Sequence, residues 1–297
     1  MKIGMTLPVT EPGWSRDVLK AWCNNVEQGP FDSLALGERL CFPSPEVIAT
    51  LSAAAVLTER VRLHTTVLIA PIHDPVVLAK QLATIDVFSE GRLTVGVGTG
   101  GREEDYIASG TDIQRKRIVE MERAVECMRE VWAGEIVREG LLRPVEPFPV
   151  QDGGPPILAG VFGPKGVASA AGFASGIAGM SMSARADEAA AANQLAQSSW
   201  QAAGRDDKPY VTSSFWFALG DTADEQIRVH LNRYFNWLDA DTRNAMSEHC
   251  GFRGSAADLA ERIREFEAAG CDELQLIPTS IDPDEVLRAA EAVNAFM

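Results

Sequence analysis

The chain has 297 residues, of which 46% are hydrophobic and 23% are charged, a composition typical of a globular protein with a large core. Its formal net charge of −15 repels nucleic acid and anionic membrane surfaces, so we expect neither as a partner. The five cysteines are scattered without a C-x-x-C pair, and the first residues lack a signal-peptide pattern. These features favour a cytoplasmic protein with free thiols.

Short apolar segments alternate with amphipathic segments along the whole chain. In the first half, Ser15, Ser44 and Asp74 are predicted helix N-caps, the last two with a proline at the first helical position. The first half predicts strands at 2–7, 31–37, 61–70 and 92–98, and helices at 15–28, 45–59, 75–91 and 115–134. The second half predicts strands at 155–160, 175–180, 210–219 and 271–278, and helices at 164–171, 187–203, 222–235, 255–270 and 283–297. The uncharged stretch 166–184 approaches a membrane span in length, but its Gly, Ser and Ala predict a buried helix-to-strand passage.

Eight strands, each followed by a helix, predict parallel pairing in a (β/α)₈ TIM barrel of the α/β class. A doubly wound sheet needs fewer strands and usually a second domain, and no linker divides this chain. We therefore expect one barrel domain over 1–297. The stretches 135–155 and 235–254 exceed ordinary loop length, and we expect both to be loop insertions at the barrel mouth.

Glycines dominate the turn after the fourth predicted strand, VGVGTGGREEDY at 95–106. A dinucleotide fingerprint would fall on Gly96, Gly98 and Gly101, but it belongs in the first strand–helix unit, and the acids at 103–105 would stand where pyrophosphate binds. In a barrel this turn opens into the active site, so we expect it to border a flat ligand; a tight turn without a ligand is the alternative. The acids at 103–105 are interpreted as solvated charges at a helix start.

The other candidate motifs are weaker. The four histidines have no metal-ligand spacing, and neither a nucleophile elbow nor a phosphate-loop motif occurs, so no metal site is predicted. His64 is interpreted as a core residue, whereas His73, just past the third strand, is better placed for a pocket. Strand alternation means that Phe215, Trp216 and Phe217 cannot all face a ligand.

Long, ordered segments of the chain resemble one known family. The match comprises FDSLALGERL at 31–40, the block 60–106, RAVECMREVWAGE at 123–135, PPILAGVFGPKGVASAAGFASG at 155–176 and GSAADLAERIREFEAAGCDELQL at 254–276. These segments resemble the bacterial luciferase-like family of flavin- and deazaflavin-dependent oxidoreductases, and the resemblance covers nearly the whole chain except 235–250. It implies a TIM-barrel enzyme that uses FMN or the deazaflavin coenzyme F420.

The resemblance also implies where the cofactor binds. The third strand in this family often carries a bulge with a non-prolyl cis peptide against which the ring rests, which here would be Thr66–Val67 beside Thr65. The turn Thr99, Gly100 and Gly101 would border the ring. The phosphate end would meet backbone N–H groups and hydroxyls of Gly160, Val161, Phe162, Gly163, Ser181 and Ser183. Ordinary loop polarity is an equal alternative for the two serines.

Three residues are candidates for catalysis: Glu38, Arg39 and His73. Deazaflavin-dependent relatives often have an acid followed by histidine at the end of the second strand, whereas this chain has Glu38-Arg39. Glu38 can act as an acid or orient a base. Arg39 does not exchange protons near neutral pH, but it can bind an anionic substrate group or stabilise an anionic reduced flavin; a rim salt bridge is the alternative. Ser175 stands where relatives have aspartate, and Ser183 where some have a phosphate-binding lysine.

The resemblance implies two reactions. With reduced FMN and oxygen, the enzyme would oxygenate a small organic substrate and need a separate flavin reductase, because no NAD-binding domain is visible. With F420 it would transfer hydride directly. A non-catalytic flavin-binding barrel and a barrel hydrolase or lyase without a redox cofactor stay open. The resemblance further implies a possible homodimer formed through the early helices.

Overall fold

Eight parallel strands close into a barrel in the computed structural model, which describes residues 1–297. The strands are β1 (Lys2–Thr6), β2 (Ser33–Leu36), β3 (Arg62–Thr65), β4 (Leu68–Ile69), β5 (Leu93–Gly98), β6 (Ile157–Gly160), β7 (Gly176–Ala178), β8 (Tyr210–Leu219), β9 (Phe252–Gly254) and β10 (Glu273–Pro278). Strand β10 pairs with both β1 and β8, which closes the ring, while β4 and β9 are short additions to it. The predicted (β/α)₈ barrel is confirmed.

Eight helices surround the barrel and three more are additions. The helices are α1 (Arg16–Gln28), α2 (Val47–Leu57), α3 (Pro75–Phe88), α4 (Glu103–Ser109), α5 (Arg117–Trp132), α6 (Gly163–Ala170), α7 (Ala186–Ala202), α8 (Ala223–Tyr234), α9 (Ala240–His249), α10 (Ala256–Ala268) and α11 (Asp284–Phe296). The additions are α4, which follows β5, and the pair α8 and α9, which follows β8. None of the helices combines the length and the apolar composition that a membrane span requires.

The helix starts follow local capping. Ser15 and Asp74 cap α1 and α3 as predicted, each accepting hydrogen bonds from first-turn N–H groups. The predicted cap at Ser44 is wrong, because α2 begins at Val47 and the Glu46 side chain accepts from the amides of Ile48 and Ala49. A glutamate two residues further along thus satisfies the N–H groups that the serine was expected to satisfy.

The third predicted strand, 61–70, is interrupted. Strand β3 ends at Thr65, the Thr66–Val67 peptide is cis, and the chain resumes as β4 before a 3₁₀ turn at Ala70–Ile72. At the break, the Thr65 hydroxyl donates to the Gly96 carbonyl (2.8 Å) and accepts from the Gly96 amide (2.7 Å). A side chain therefore supplies the link to β5 that the main chain of β3 no longer makes.

The core consists of one large cluster and one small one. Sixty-one buried apolar residues fill the space between strands and surrounding helices. A separate cluster of seven, including Trp216, Ile227 and Leu231, attaches α8 to the end of β8. The small cluster makes α8 part of the barrel mouth rather than of the outer helix ring.

The two predicted insertions lie in different places. Segment 235–254 is at the mouth, as expected, because β9 pairs with the carboxyl-terminal residues of β8. Segment 135–155 instead follows the outer surface of α3: Arg138 pairs with Asp74, and Asp86 accepts hydrogen bonds from the amides of Val150 and Gln151. The expectation for 135–155 is wrong, because this segment joins a helix end to a strand start and so leads to the opposite face of the barrel.

Candidate active site at the barrel mouth

A cavity of about 380 Å³ opens at the carboxyl ends of the barrel strands, and we call it the mouth cavity. No residue of 135–155 lines it. Most of the sequence-predicted site residues do: Glu38, Arg39, Thr66, Val67, Thr99, Gly100, Gly101, Gly160 and Phe162. A larger depression, about 600 Å³, lies outside the barrel between α5 and α6, but glutamates dominate its rim and none of the candidate residues reaches it.

Val67 forms the floor of the mouth cavity. A Cβ atom at Gly98 would lie 2.6 Å from Val67 Cγ2, and one at Gly160 would lie 2.9 Å from Val67 Cγ1. A Cβ atom at Gly96 would lie 3.0 Å from Val67 Cγ1 and still closer to the Thr65 carbonyl oxygen. Gly98 and Gly160 are therefore needed because the Val67 side chain occupies the space their own side chains would fill. Gly96 is needed chiefly because of the Thr65 carbonyl.

Two side chains fix the glycine turn after β5 by hydrogen bonds to its carbonyl groups. The Tyr106 hydroxyl donates to the Thr99 carbonyl, and Arg117 Nη1 donates to the Gly100 carbonyl at 2.7 Å. Gly100 has a φ of +61°, a conformation that favours glycine, whereas a Cβ atom at Gly101 would meet nothing within 4 Å. The turn is thus rigid on its protein side and open on its cavity side at Gly101.

Glu38 and His73 form a hydrogen-bonded pair at the edge of the cavity. Glu38 Oε1 lies 2.8 Å from His73 Nε2, and Glu38 Oε2 accepts from the Ile69 amide at 2.6 Å. The Glu38 side chain is 6% exposed, and that of His73 is 21% exposed. His73 does not itself line the cavity, but it connects the buried carboxylate to solvent.

Two arginines converge on one tyrosine ring. Arg39 Cζ lies 5.5 Å from the ring centroid of Tyr234, and Arg102 Cζ lies 4.6 Å from the same centroid. Burial, reinforced by the charge of Arg102, lowers the pKa of Arg39 to about 10. Arg39 therefore stays protonated at neutral pH.

Asp105 corrects the interpretation of the acids at 103–105. Glu103 and Glu104 are exposed, as a solvated helix start requires, but Asp105 is buried. Its Oδ1 accepts from the amides of Leu40 and Cys41, at 3.0 and 2.8 Å. Asp105 thus ties the loop after β2 to α4, with backbone amides in place of water at that oxygen.

Only some of the residues predicted to contact a phosphate line the mouth cavity. Gly160 and Phe162 line the cavity, Val161 packs behind them against Gly166, and Gly163 begins α6, whose first turn has no side-chain cap. The hydroxyls of Ser181 and Thr65 already have partners inside the protein, since Ser181 Oγ lies 2.8 Å from Glu188 Oε2. Neither of these residues nor Ser183 lines the cavity. The phosphate contacts stay predictions.

Several lining residues were missed by the sequence reasoning. Thr6 ends β1, and that position alone is a signal, whereas Thr212 and Gln275 lie within β8 and β10. Arg102 stands directly after the glycine turn, but it was not singled out from the sequence. Tyr234 comes from α8, and no motif in its surroundings connects it with β2 or β5. Its place depends on how α8 folds over the mouth.

Comparisons with known proteins agree with this architecture. The model of the family described as luciferase-like monooxygenase matches residues 1–276. An uncharacterized protein of Mycobacterium bovis, Mb0978c, is 34% identical over 176 residues, covering 55% of this chain and 59% of that protein. An F420-dependent glucose-6-phosphate dehydrogenase of Beutenbergia cavernae is 33% identical over 130 residues, covering 41% of this chain and 38% of that protein. The chain thus matches less than two thirds of the length of these relatives.

A solved structure shows the same fold at full length. The oxygenating constituent of 3,6-diketocamphane monooxygenase from Pseudomonas putida, in complex with FMN, superposes with a TM-score of 0.72. The alignment covers 99% of this chain and 96% of that one at 17% identity, so it supports the fold. Because the family model spans more than nine tenths of the 297 residues, the chain belongs to the luciferase-like monooxygenase family.

Proposed function

We propose that this protein is an oxidoreductase that binds FMN or F420 in the mouth cavity and oxidises or reduces a small organic substrate there. The observation that carries the proposal is the floor made by Val67, with the open Gly101 beside it. An apolar side chain and glycine backbone at the bottom of a cavity, with polar side chains around them, make a surface on which an aromatic ring system packs. The residues present therefore fit the ring of either cofactor.

The proposed phosphate contacts lie on one side of the cavity. The first N–H groups of α6 have no side-chain cap, and Gly160 and Phe162 bring that helix start to the cavity. Uncapped N–H groups at a helix start favour an anionic group. When bound, the cofactor supplies the redox chemistry, and the protein supplies binding, orientation and proton transfer.

Glu38 and His73 are the proposed acid–base pair. The buried Glu38 carboxylate accepts two hydrogen bonds, one from His73 and one from the Ile69 amide, so its position is fixed. His73 is partly exposed and can exchange its proton with solvent. A proton taken up or released by substrate at the cavity edge can therefore pass between Glu38 and solvent through His73.

Oxygenation with reduced FMN is the first candidate reaction, and it needs a separate flavin reductase as partner. Hydride transfer with F420 is the second. The observation that favours the second is the Glu38–His73 pair, because reduction of a carbonyl requires a proton donor beside the substrate oxygen. The F420-dependent relative from Beutenbergia cavernae supports it as well.

Cofactor titration tests the proposal. Purified, cofactor-free protein is titrated with FMN and with F420, each oxidised and reduced, and binding is followed by fluorescence. Tight binding of reduced FMN, with substrate-dependent oxygen uptake, supports the monooxygenase; preference for F420 supports hydride transfer. Binding without any turnover points to a non-catalytic flavin-binding barrel, and failure to bind either cofactor contradicts the proposal and favours a hydrolase or lyase.

A further inference from the structure

The guanidinium of Arg39 is buried without hydrogen-bond partners on two of its nitrogens. The side chain is 6% exposed, and neither Nε nor Nη1 has a partner within the protein. The nearest carboxylate oxygen, Asp105 Oδ2, lies 3.8 Å from Nε, beyond hydrogen-bonding distance, and it too is unpartnered. Buried donors of a charged group are costly to leave unpaired, so an external acceptor is expected.

The charges around Arg39 leave a positive excess. Arg102 adds a second guanidinium that lines the same cavity, with its Nε also unpartnered. Asp105 is the only buried carboxylate beside them, and two backbone amides share its other oxygen. Glu38 is turned to His73 and the Ile69 amide, and Glu104 is exposed. Two guanidinium groups thus face one carboxylate at the edge of the cavity. The site keeps a net positive charge, which one further anion would neutralise.

The walls next to the arginines are aromatic and apolar. Tyr234 lies against both guanidinium groups, and Trp216 meets Tyr234 edge to face with 4.9 Å between ring centroids. Val9 and Ile277 line the same cavity. A ligand that places an anion at the arginines would therefore have an apolar body.

The cofactor phosphate is expected elsewhere. Arg39 follows β2, whereas the turn proposed to hold phosphate follows β6, and β3 and β5 stand between them in the barrel. Arg39 therefore lies three strands away from that turn, whereas Arg102 follows β5, which pairs directly with β6. Arg39 is thus available for the second ligand of the site, and its contact with Tyr234, which Arg102 shares, brings Arg102 to the same place.

We propose that Arg39 and Arg102 bind the carboxylate of the substrate, and that the substrate is a small organic acid with an aromatic or branched aliphatic body. The carboxylate would accept from the free guanidinium nitrogens, since arginine matches a carboxylate with paired hydrogen bonds. The aromatic or aliphatic part of the substrate would lie against Trp216 and Ile277. This assignment rests on the proposed function and specifies its substrate class.

Benzoate is the probe that tests this site, with benzamide as its uncharged counterpart. Binding to the purified protein, without cofactor, is followed by tryptophan fluorescence. We expect benzoate to bind at least about tenfold more tightly than benzamide, and Arg39→Gln and Arg102→Gln each to weaken benzoate binding about tenfold or more. Arg123→Gln, on the exposed outer face of α5, is the matched control and should bind benzoate as the unmodified protein does.

The outcomes separate this inference from the proposed function. Equal binding of benzoate and benzamide, or benzoate binding that neither substitution in the mouth cavity changes, overturns the inference. FMN and riboflavin are compared in the same variants: if the substitutions remove the preference for FMN, the arginines hold the cofactor phosphate, and the inference is again overturned. The protein could also bind benzoate through the arginines and bind neither FMN nor F420. That outcome would support the carboxylate site and contradict the proposed function.

Discussion

Val67 determines which residues its neighbouring strands can carry. Its two methyl groups occupy the space of side chains at Gly98 and Gly160, so a methyl group added at Gly160 would lie 2.9 Å from Cγ1 and 3.1 Å from Cγ2. The added methyl group would also lie 3.4 Å from the Val97 carbonyl oxygen, which confines it on that side as well. A methyl group at Gly160 therefore fits only if Val67 shifts.

Gly160→Ala should therefore lower the free energy of unfolding by about 1–3 kcal/mol, the usual cost of overpacking a core. Gly101→Ala is the control, because a Cβ atom there meets nothing within 4 Å, and its effect should stay within about 0.5 kcal/mol. Both values are measured by urea denaturation. Equal stability of the two variants would show that Val67 is free to move.

Filling the open side of the turn tests cofactor placement. Gly101→Trp adds a ring where the cavity is empty of protein atoms, whereas Gly100→Trp would strain a backbone with φ of +61°. We expect Gly101→Trp to fold with an unchanged far-ultraviolet spectrum and to lose FMN and F420 binding. Normal cofactor binding by this variant would mean that the glycine turn has a structural role only.

Glu38→Gln tests the proposed acid–base pair. Glutamine keeps an oxygen for the Ile69 amide but carries no charge, so it preserves the position and removes proton exchange with His73. We expect turnover to fall about 10²–10⁴-fold with cofactor affinity unchanged. His73→Gln should show a similar loss. An unchanged rate and pH profile in Glu38→Gln would remove the pair from the mechanism.

The sequence identifies the site residues that follow strands, and it fails for those that arrive by tertiary folding. Glu38 and Thr99 come just after strands and Gly160 ends one, and parallel strands place such residues at one edge. Tyr234 lies on an added helix, and its contact with Arg39 depends on the folding of α8. Ser181 follows a strand too, but a local hydrogen bond to Glu188 turns its hydroxyl away.

At the scale of elements, α2 has no charged residue, and both α2 and α3 expose large apolar side chains on their outer faces. Val56 is 69% exposed on α2, and Phe88 is 52% exposed on α3. Val77 and Val87 extend this exposed apolar surface along α3. Helices that are apolar all round are usually buried, so we propose the outer face of α2, with the part of α3 that segment 135–155 leaves exposed, as the surface of a homodimer.

Val56→Glu combined with Phe88→Glu should convert a dimer into a monomer, because each substitution would bury an unpaired charge at the interface. Leu287→Glu, which changes an exposed leucine on α11, is the control and should leave the dimer intact. Molar mass is measured by light scattering during gel filtration. A monomeric unmodified protein, or a dimer that persists in the double variant, contradicts the proposed interface.

The hydrophobic pattern of the sequence locates the helices and strands. Their ends depend on tertiary contacts, which that pattern does not show. Strand β8 spans 210–219 as predicted because its apolar run is continuous and buried. The third strand was predicted as one element because VRLHTTVLIA is rich in β-branched residues, yet the strand is interrupted at Thr66–Val67, where the Val67 side chain packs against Gly98 and Gly160. Segment 135–155 was misplaced because its length is visible in the sequence but its anchor, Asp86 on α3, is not.

At the scale of the whole molecule, closure of the barrel brings both ends of the chain together. Strand β1 pairs with β10, and this places residues more than 200 apart in one polar cluster near the mouth. In that cluster His230 Nδ1 lies 2.7 Å from Glu11 Oε1, and Arg233 contacts the same carboxylate. A second buried histidine, His64, lies on β3, with Glu273, Arg62 and Lys2 as the charged groups that act on it.

Both buried histidines should make the protein less stable in mild acid. Burial lowers the pKa of His64 and of His230 below the ordinary value of 6.5, and for His230 the opposing effect of Glu11 is smaller than that of burial. Below about pH 6.5 the unfolded chain therefore binds more protons than the folded one, so the free energy of unfolding decreases as pH falls, until the folded-state pKa is reached.

Urea denaturation at about pH 7.5 and about pH 5.5 measures this loss. We expect His64→Gln and His230→Gln each to reduce the difference in unfolding free energy between the two pH values, because each removes one group that protonates only on unfolding. His249→Gln is the matched control, since His249 is exposed on α9. If all three variants lose as much stability in acid as the unmodified protein does, the acid sensitivity arises from other groups, and the two histidines are protonated as readily inside the fold as outside it.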